Sequence, residues 1–102
     1  YEPRAIYITE NGSAWNDEVL PDATIADVGR VEYMSEHLAA MQKARELGAA
    51  VNGYFVWSLL DNFEWASGYT KRFGICYVDF DTQQRTPKAS AHFYRDYIRS
   101  NS

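Results

Sequence analysis

Two short β-favouring runs separated by one long amphipathic helix limit the architecture more than any other feature of this sequence. The first run, Ala5 to Thr9, is apolar without clean alternation, as expected of a strand covered on both faces in a parallel sheet. It stops abruptly at Glu10, and Asn11-Gly12, a pair suited to turning, follows at once. Gly12 to Ala26, rich in Asn and Asp and containing Pro21, reads as a long loop. Loops of that length in compact domains tend to be functional. Asp27 is placed to cap the next helix, where Val31, Met34, Leu38, Met41 and Ala44 recur at spacings of three and four and form one apolar stripe. Leu47-Gly48 ends it with the expected left-handed stop. A second buried strand runs from about Val51 to Trp57. Strand, loop, helix and strand in this order make a βαβ unit with a right-handed crossover.

Further on, Ile75, Tyr77 and Asp79 alternate with Cys76, Val78 and Phe80, and the polar stretch Asp81 to Arg85 reads as a turn. Thr86-Pro87 is expected to open a final helix as cap and first-turn proline, with Phe93, Tyr94, Tyr97 and Ile98 on its buried side. Two parallel strands do not close a fold, because their edges need partners and their faces need helices. Either more strands lie in the loops of these 102 residues, or the chain is a piece of a larger α/β architecture.

Several function classes drop out. The formal net charge is -4 and the basic residues are scattered, whereas nucleic-acid binders concentrate positive charge on one face. No apolar run approaches the roughly 18 residues of a membrane span, and Tyr1-Glu2-Pro3-Arg4 lacks the basic-then-apolar layout of a signal peptide. Cys76 has no partner for an internal disulfide and reads as a small structural side chain. The lack of bridges suits a reducing, cytoplasmic compartment. His37 and His92 have no cysteine, histidine or acid at ligand spacing, and no glycine-rich phosphate loop occurs. Neither a metal nor a cofactor is expected.

Parallel α/β architectures gather reactive groups at the carboxyl ends of their strands. Glu10 and Glu64 both fall at or just beyond such ends, and Trp57 and Trp65 bracket Glu64. A carboxylate pair in one cleft suggests glycoside hydrolysis, and indole faces stack on the C–H faces of sugar rings. Plainer readings stand beside this one. Glu10 could be a solvated strand-end acid, Asp61 and Glu64 loop acids, and Trp57 a core residue.

Three segments carry a resemblance: Tyr7 to Gly12 (YITENG), Gly53 to Trp65 (GYFVWSLLDNFEW) and Lys71 to Tyr94 (KRFGICYVDFDTQQRTPKASAHFY). In order and spacing they resemble the C-terminal part of a glycoside hydrolase family 1 β-glucosidase. The resemblance implies the C-terminal quarter of a (β/α)8 TIM barrel, comprising strands seven and eight with their helices plus a β-hairpin, over residues 1–102. It further implies a retaining mechanism with Glu10 as the nucleophile, Trp57 as the sugar platform and Phe73 beside the 6-position. Glu64 would accept from the 4- and 6-hydroxyls, and Trp65 would donate to the 3-hydroxyl. Glu64 then holds the substrate and does not act as the acid.

The family's acid/base lies in an Asn-Glu-Pro motif after the fourth strand, for which this sequence has no counterpart. Its one Glu-Pro, Glu2-Pro3, follows Tyr1 and precedes a strand. The implied partners are therefore a β-glucoside or cello-oligosaccharide substrate and an N-terminal remainder of the barrel that carries the acid. Two alternatives predict different behaviour: a carbohydrate-binding module using the same tryptophans, and an inert structural piece. Trp15, in the loop after Glu10, either borders the outer sugar subsites or packs within that loop.

Overall fold

A computed structural model describes residues 3–62 and 71–101. The elements run β1 (Ile6–Asn11), α1 (Val28–Glu46), β2 (Val51–Val56), β3 (Cys76–Val78), β4 (Arg85–Pro87) and α2 (Ala89–Ser100). β1 and β2 pair in parallel across α1, as a βαβ unit requires. β3 and β4 form an antiparallel hairpin pairing Cys76 with Pro87, Tyr77 with Thr86 and Val78 with Arg85. Its turn is held by the Asp79 carboxylate, which accepts from the amides of Asp81 at 3.0 Å and Thr82 at 3.2 Å. Gln83 takes the left-handed conformation at φ 65.

The α1 stripe packs as its spacing predicts. Met34 and Leu38 are fully buried, and Val31, Met41 and Ala44 are half-buried. Ile25, Val51, Ile75 and Val78 are the other buried apolar residues among the described residues. α2 joins α1 through the Gln42 amide, which donates to the Tyr97 hydroxyl at 2.8 Å, and joins β2 through the Tyr94 hydroxyl, which donates to the Tyr54 carbonyl at 3.1 Å. Gly48 ends α1 at φ 99, as expected.

Other expectations are corrected. The strands are not covered on both faces in this chain: Tyr7 and Phe55 are each 58% exposed, because a two-stranded pair with one layer of helices leaves apolar side chains open. The radius of gyration is 15.1 Å, with extents of 47 × 30 × 19 Å, against about 13 Å for a closed domain of this length. Thr86-Pro87 does not start the last helix. Thr86 pairs with Tyr77 and Pro87 closes β4, while Lys88 occupies the capping position in extended conformation. Proline lacks an amide hydrogen, so it fits the end of a short strand as readily as the start of a helix. On α2, Phe93, Tyr94 and Tyr97 are half-buried but Ile98 is exposed, and the fully buried side chain is Ser90.

Asp27 precedes α1, yet its side chain makes no capping bond there. Its carboxylate instead accepts from the backbone amide of Ser90 at 2.9 Å and from the Ser90 hydroxyl. Ser90 lies in the first turn of α2, so Asp27 caps the other helix. Lys88 has no acceptor to offer its own helix, and an anion at the α2 N-terminus satisfies a free donor and opposes the helix dipole.

Candidate active site

At the carboxyl end of the parallel pair, Glu10 is an exposed residue inside β1, one position further into the strand than the sequence suggests. Ile8 pairs with Tyr54 and Asn11 with Val56, so β1 uses one residue more than β2 between the two pairs. Strict alternation would put Glu10 on the face of Ile8. With the extra residue, Ile8 and Asn11 are half-buried while Thr9 and Glu10 stay exposed. Irregularities of this kind re-aim side chains near functional sites.

The two strand ends are tied together. The Trp57 amide donates to the Asn11 carbonyl at 2.9 Å. Gly12 fits only because it has no side chain, since a Cβ there would lie 1.7 Å from the Trp57 carbonyl oxygen. Trp57 is 37% exposed, and the Trp57–Ser58 peptide bond is cis. Beyond β2, Ser58 to Asp61 runs beside Phe73 to Cys76: the Ser58 amide donates to the Phe73 carbonyl at 3.2 Å, Ile75 to Ser58 at 2.9 Å and Cys76 to Leu59 at 2.8 Å. That ladder brings half-buried Phe73 to the end of β2 that carries Trp57. Glu64 and Trp65 lie outside the described residues.

Asp61, which the sequence leaves as a loop acid, is buried in the segment that follows β2. One oxygen accepts from the Gly74 amide at 3.0 Å and Lys88 Nζ at 2.8 Å; the other accepts from Arg72 Nη1 at 2.7 Å and the Val78 amide at 3.2 Å. Four donors on one carboxylate define a structural hub and leave no lone pair for chemistry. Lys88 also bonds Asp17 at 2.6 Å, and Arg30 reaches both Asp17 oxygens at 2.9 and 3.0 Å as well as Asp27. Three cations and three carboxylates thus balance in one network. Burial works most strongly against the Arg30 charge, but the hydrogen bonds and charges of Asp17 and Asp27 outweigh it and hold its pKa above the ordinary value. Arg72 lies 4.1 Å from the Tyr77 ring centroid and 4.4 Å from that of Phe80.

Trp15 is 40% exposed and is tied to Ser13, to Arg72 and to the start of α1. Its backbone exchanges both hydrogen bonds with Arg72 at 2.9 and 3.1 Å, its indole donates to Ser13 Oγ at 2.6 Å, and its ring lies so close over Gly29 that a Cβ there would meet it at 2.6 Å. Cys76 is a half-buried free thiol whose pKa is raised by burial. Among the described residues no cluster of His, Cys, Asp and Glu is arranged to hold a metal, and no helix is long and apolar enough to cross a membrane.

Sequence reasoning missed the hydrogen bonds that join Asn11, the residue after Glu10, to Tyr54 and Tyr33. It also missed Asp17, Arg30 and Lys88. Asn11 was visible only as a turn residue, and the isolated charges belong to no periodic pattern.

A parallel βαβ unit with an exposed carboxylate and aromatic side chains at its carboxyl edge has the layout at which α/β proteins bind their ligands. Comparison with known proteins identifies the family. The family model described as glycosyl hydrolase family 1 matches residues 1–102, and the chain belongs to that family. Beta-glucosidase A of Thermotoga maritima is 50% identical over 101 residues, covering 99% of this chain and 23% of that protein. The 1,4-beta-D-glucan glucohydrolase of Thermotoga neapolitana is 48% identical over the same shares of each. The solved structure of the family 1 β-glucosidase from Thermotoga maritima in complex with isofagomine lactam superposes with a TM-score of 0.95 at 49% identity, over 98% of this chain and 23% of that one. The chain therefore spans about a quarter of the length of these relatives.

Proposed function

We propose that this chain supplies the nucleophile and most of the glycone pocket of a retaining β-glucosidase acting on terminal non-reducing β-D-glucosyl residues. In this reading it forms strands seven and eight, with their helices and a hairpin, of a (β/α)8 barrel whose remainder carries the acid/base. The observation that carries the reading is Glu10: an exposed carboxylate at the carboxyl end of β1, with no hydrogen-bond partner among the described residues, on the strand end tied to Trp57.

A Glu10 oxygen attacks the anomeric carbon while the acid, about 5 to 5.5 Å from it, protonates the departing oxygen. The sugar is then held as a glycosyl ester of Glu10. Water, deprotonated by the same acid/base, cleaves the ester with a second inversion, so configuration is retained. Trp57 carries the pyranose face, Phe73 lines the 6-position, Glu64 accepts from the 4- and 6-hydroxyls and Trp65 donates to the 3-hydroxyl. A carboxylate at Glu64 would repel a 6-phosphate, which favours unphosphorylated glucosides or cello-oligosaccharides. In the full-length enzyme, Glu10→Gln should lower turnover of an aryl β-glucoside by roughly 10⁴-fold or more. Near-normal hydrolysis would refute the assignment.

A further inference from the structure

We propose that Asn11 is a positioning residue: its carboxamide, held between the hydroxyls of Tyr54 and Tyr33, fixes the direction in which Glu10 presents its carboxylate. This rests on the reading of Glu10 as the nucleophile and adds a device that holds it.

The Tyr54 hydroxyl donates to Asn11 Oδ1 at 2.6 Å, and Asn11 Nδ2 donates to the Tyr33 hydroxyl at 3.3 Å. Both rings have aromatic neighbours. The Tyr54 ring lies tilted against that of Tyr94, centroids 6.3 Å apart, and the Tyr33 ring stacks on His37 with centroids 3.8 Å apart. The amide thus joins β1 to both β2 and α1. Burial pushes the Tyr54 pKa up to about 12, so its hydroxyl remains a donor throughout the neutral range.

Glu10 itself has no hydrogen-bond partner among the described residues, so within this chain its aim is inherited from its backbone. That backbone is held at the next residue on every side: the Asn11 carbonyl by Trp57, the Asn11 side chain by two tyrosines, and Gly12 by close contact with the Trp57 carbonyl. One of the two register irregularities of β1 falls across Thr9-Glu10, just before Asn11. A nucleophile must meet its carbon within a few tenths of an ångström of the productive approach, and a misplacement of about 1 Å costs about a hundredfold in rate. Pinning Asn11 is how the fold removes that freedom.

The test uses the full-length enzyme with a 2-deoxy-2-fluoro-glucoside inactivator, mapping the labelled peptide and measuring the inactivation rate. Tyr54→Phe removes one hydroxyl and keeps the ring. It should slow both inactivation and kcat by about five- to tenfold, the worth of one hydrogen bond, with KM for an aryl β-glucoside within about twofold of wild type; Asn11→Ala should slow them further. Wild-type rates in Tyr54→Phe with the label on Glu10 would overturn this inference alone, as would a rise in KM at unchanged kcat. A label on another residue in the wild-type enzyme would overturn the nucleophile assignment and this inference with it.

Discussion

Lys88 Nζ lies 2.8 Å from the carboxylate of Asp61, and both side chains are wholly shielded from solvent. The same ammonium reaches Asp17 at 2.6 Å and the Gly74 carbonyl at 2.6 Å. One cation therefore joins the loop after β1, the segment after β2 and the start of α2. Removing a partner from a buried ion pair leaves an uncompensated charge, which costs about 3 to 5 kcal/mol. Lys88→Met in the full-length enzyme should lower stability by about that amount in denaturant unfolding. An unchanged midpoint would show that Asp17 and Asp61 are satisfied without it.

Gly12 and Gly48 predict different effects on turnover for the same destabilising substitution. Gly12→Ala drives a methyl into the Trp57 carbonyl, which is backbone and cannot swing aside. It should cost about 1 to 3 kcal/mol by overpacking and also depress turnover, because it parts the two strand ends. Gly48→Ala meets no atom within 4 Å but is strained at φ +99, so it should cost about 1 to 2 kcal/mol with turnover unchanged. Paired thermal unfolding and activity measurements check both; activity loss in Gly48→Ala would contradict this division.

Alkaline pH should weaken the fold through Tyr54. Burial, chiefly, raises its pKa from 10.0 to about 12, so the folded state holds the phenolic proton more tightly than the unfolded state does. The resulting stability is full below pH 10 and is lost as pH rises through about 12. Tyr94 is shifted in the same direction by burial. Tyr54→Phe should therefore flatten the fall in stability across that window without abolishing it, as measured by denaturant midpoints at stepped pH.

The binding-module alternative is open to a simple titration. With Tyr7 and Phe55 each 58% exposed, the isolated 102-residue chain leaves apolar faces and strand edges open, a hazard for self-association. Added cellobiose should produce no saturable change in its tryptophan fluorescence. A clean binding isotherm from a monomeric chain would favour a carbohydrate-binding module.

Where a pattern was local, the sequence disclosed it. The α1 stripe of Met34 and Leu38, the stop at Gly48, the two parallel strands and the hairpin after Ile75 all follow from periodicity or turn chemistry within a few residues. The position of Glu10 at a strand end was legible for the same reason, as was family membership through segments spread over most of the chain.

What the sequence could not disclose was decided by residues meeting across long separations. Asp27 looked like the cap of its own helix and became the cap of α2, 63 positions away; Lys88 joined Asp17 across 71; and Asn11, apparently only a turn residue, found Tyr54 across 43. Single polar side chains have no period, and their partners are chosen by which buried donors and acceptors the packed elements leave unsatisfied. Apolar patterning therefore set the elements, while the cost of burying unpaired polar groups set how their ends were joined.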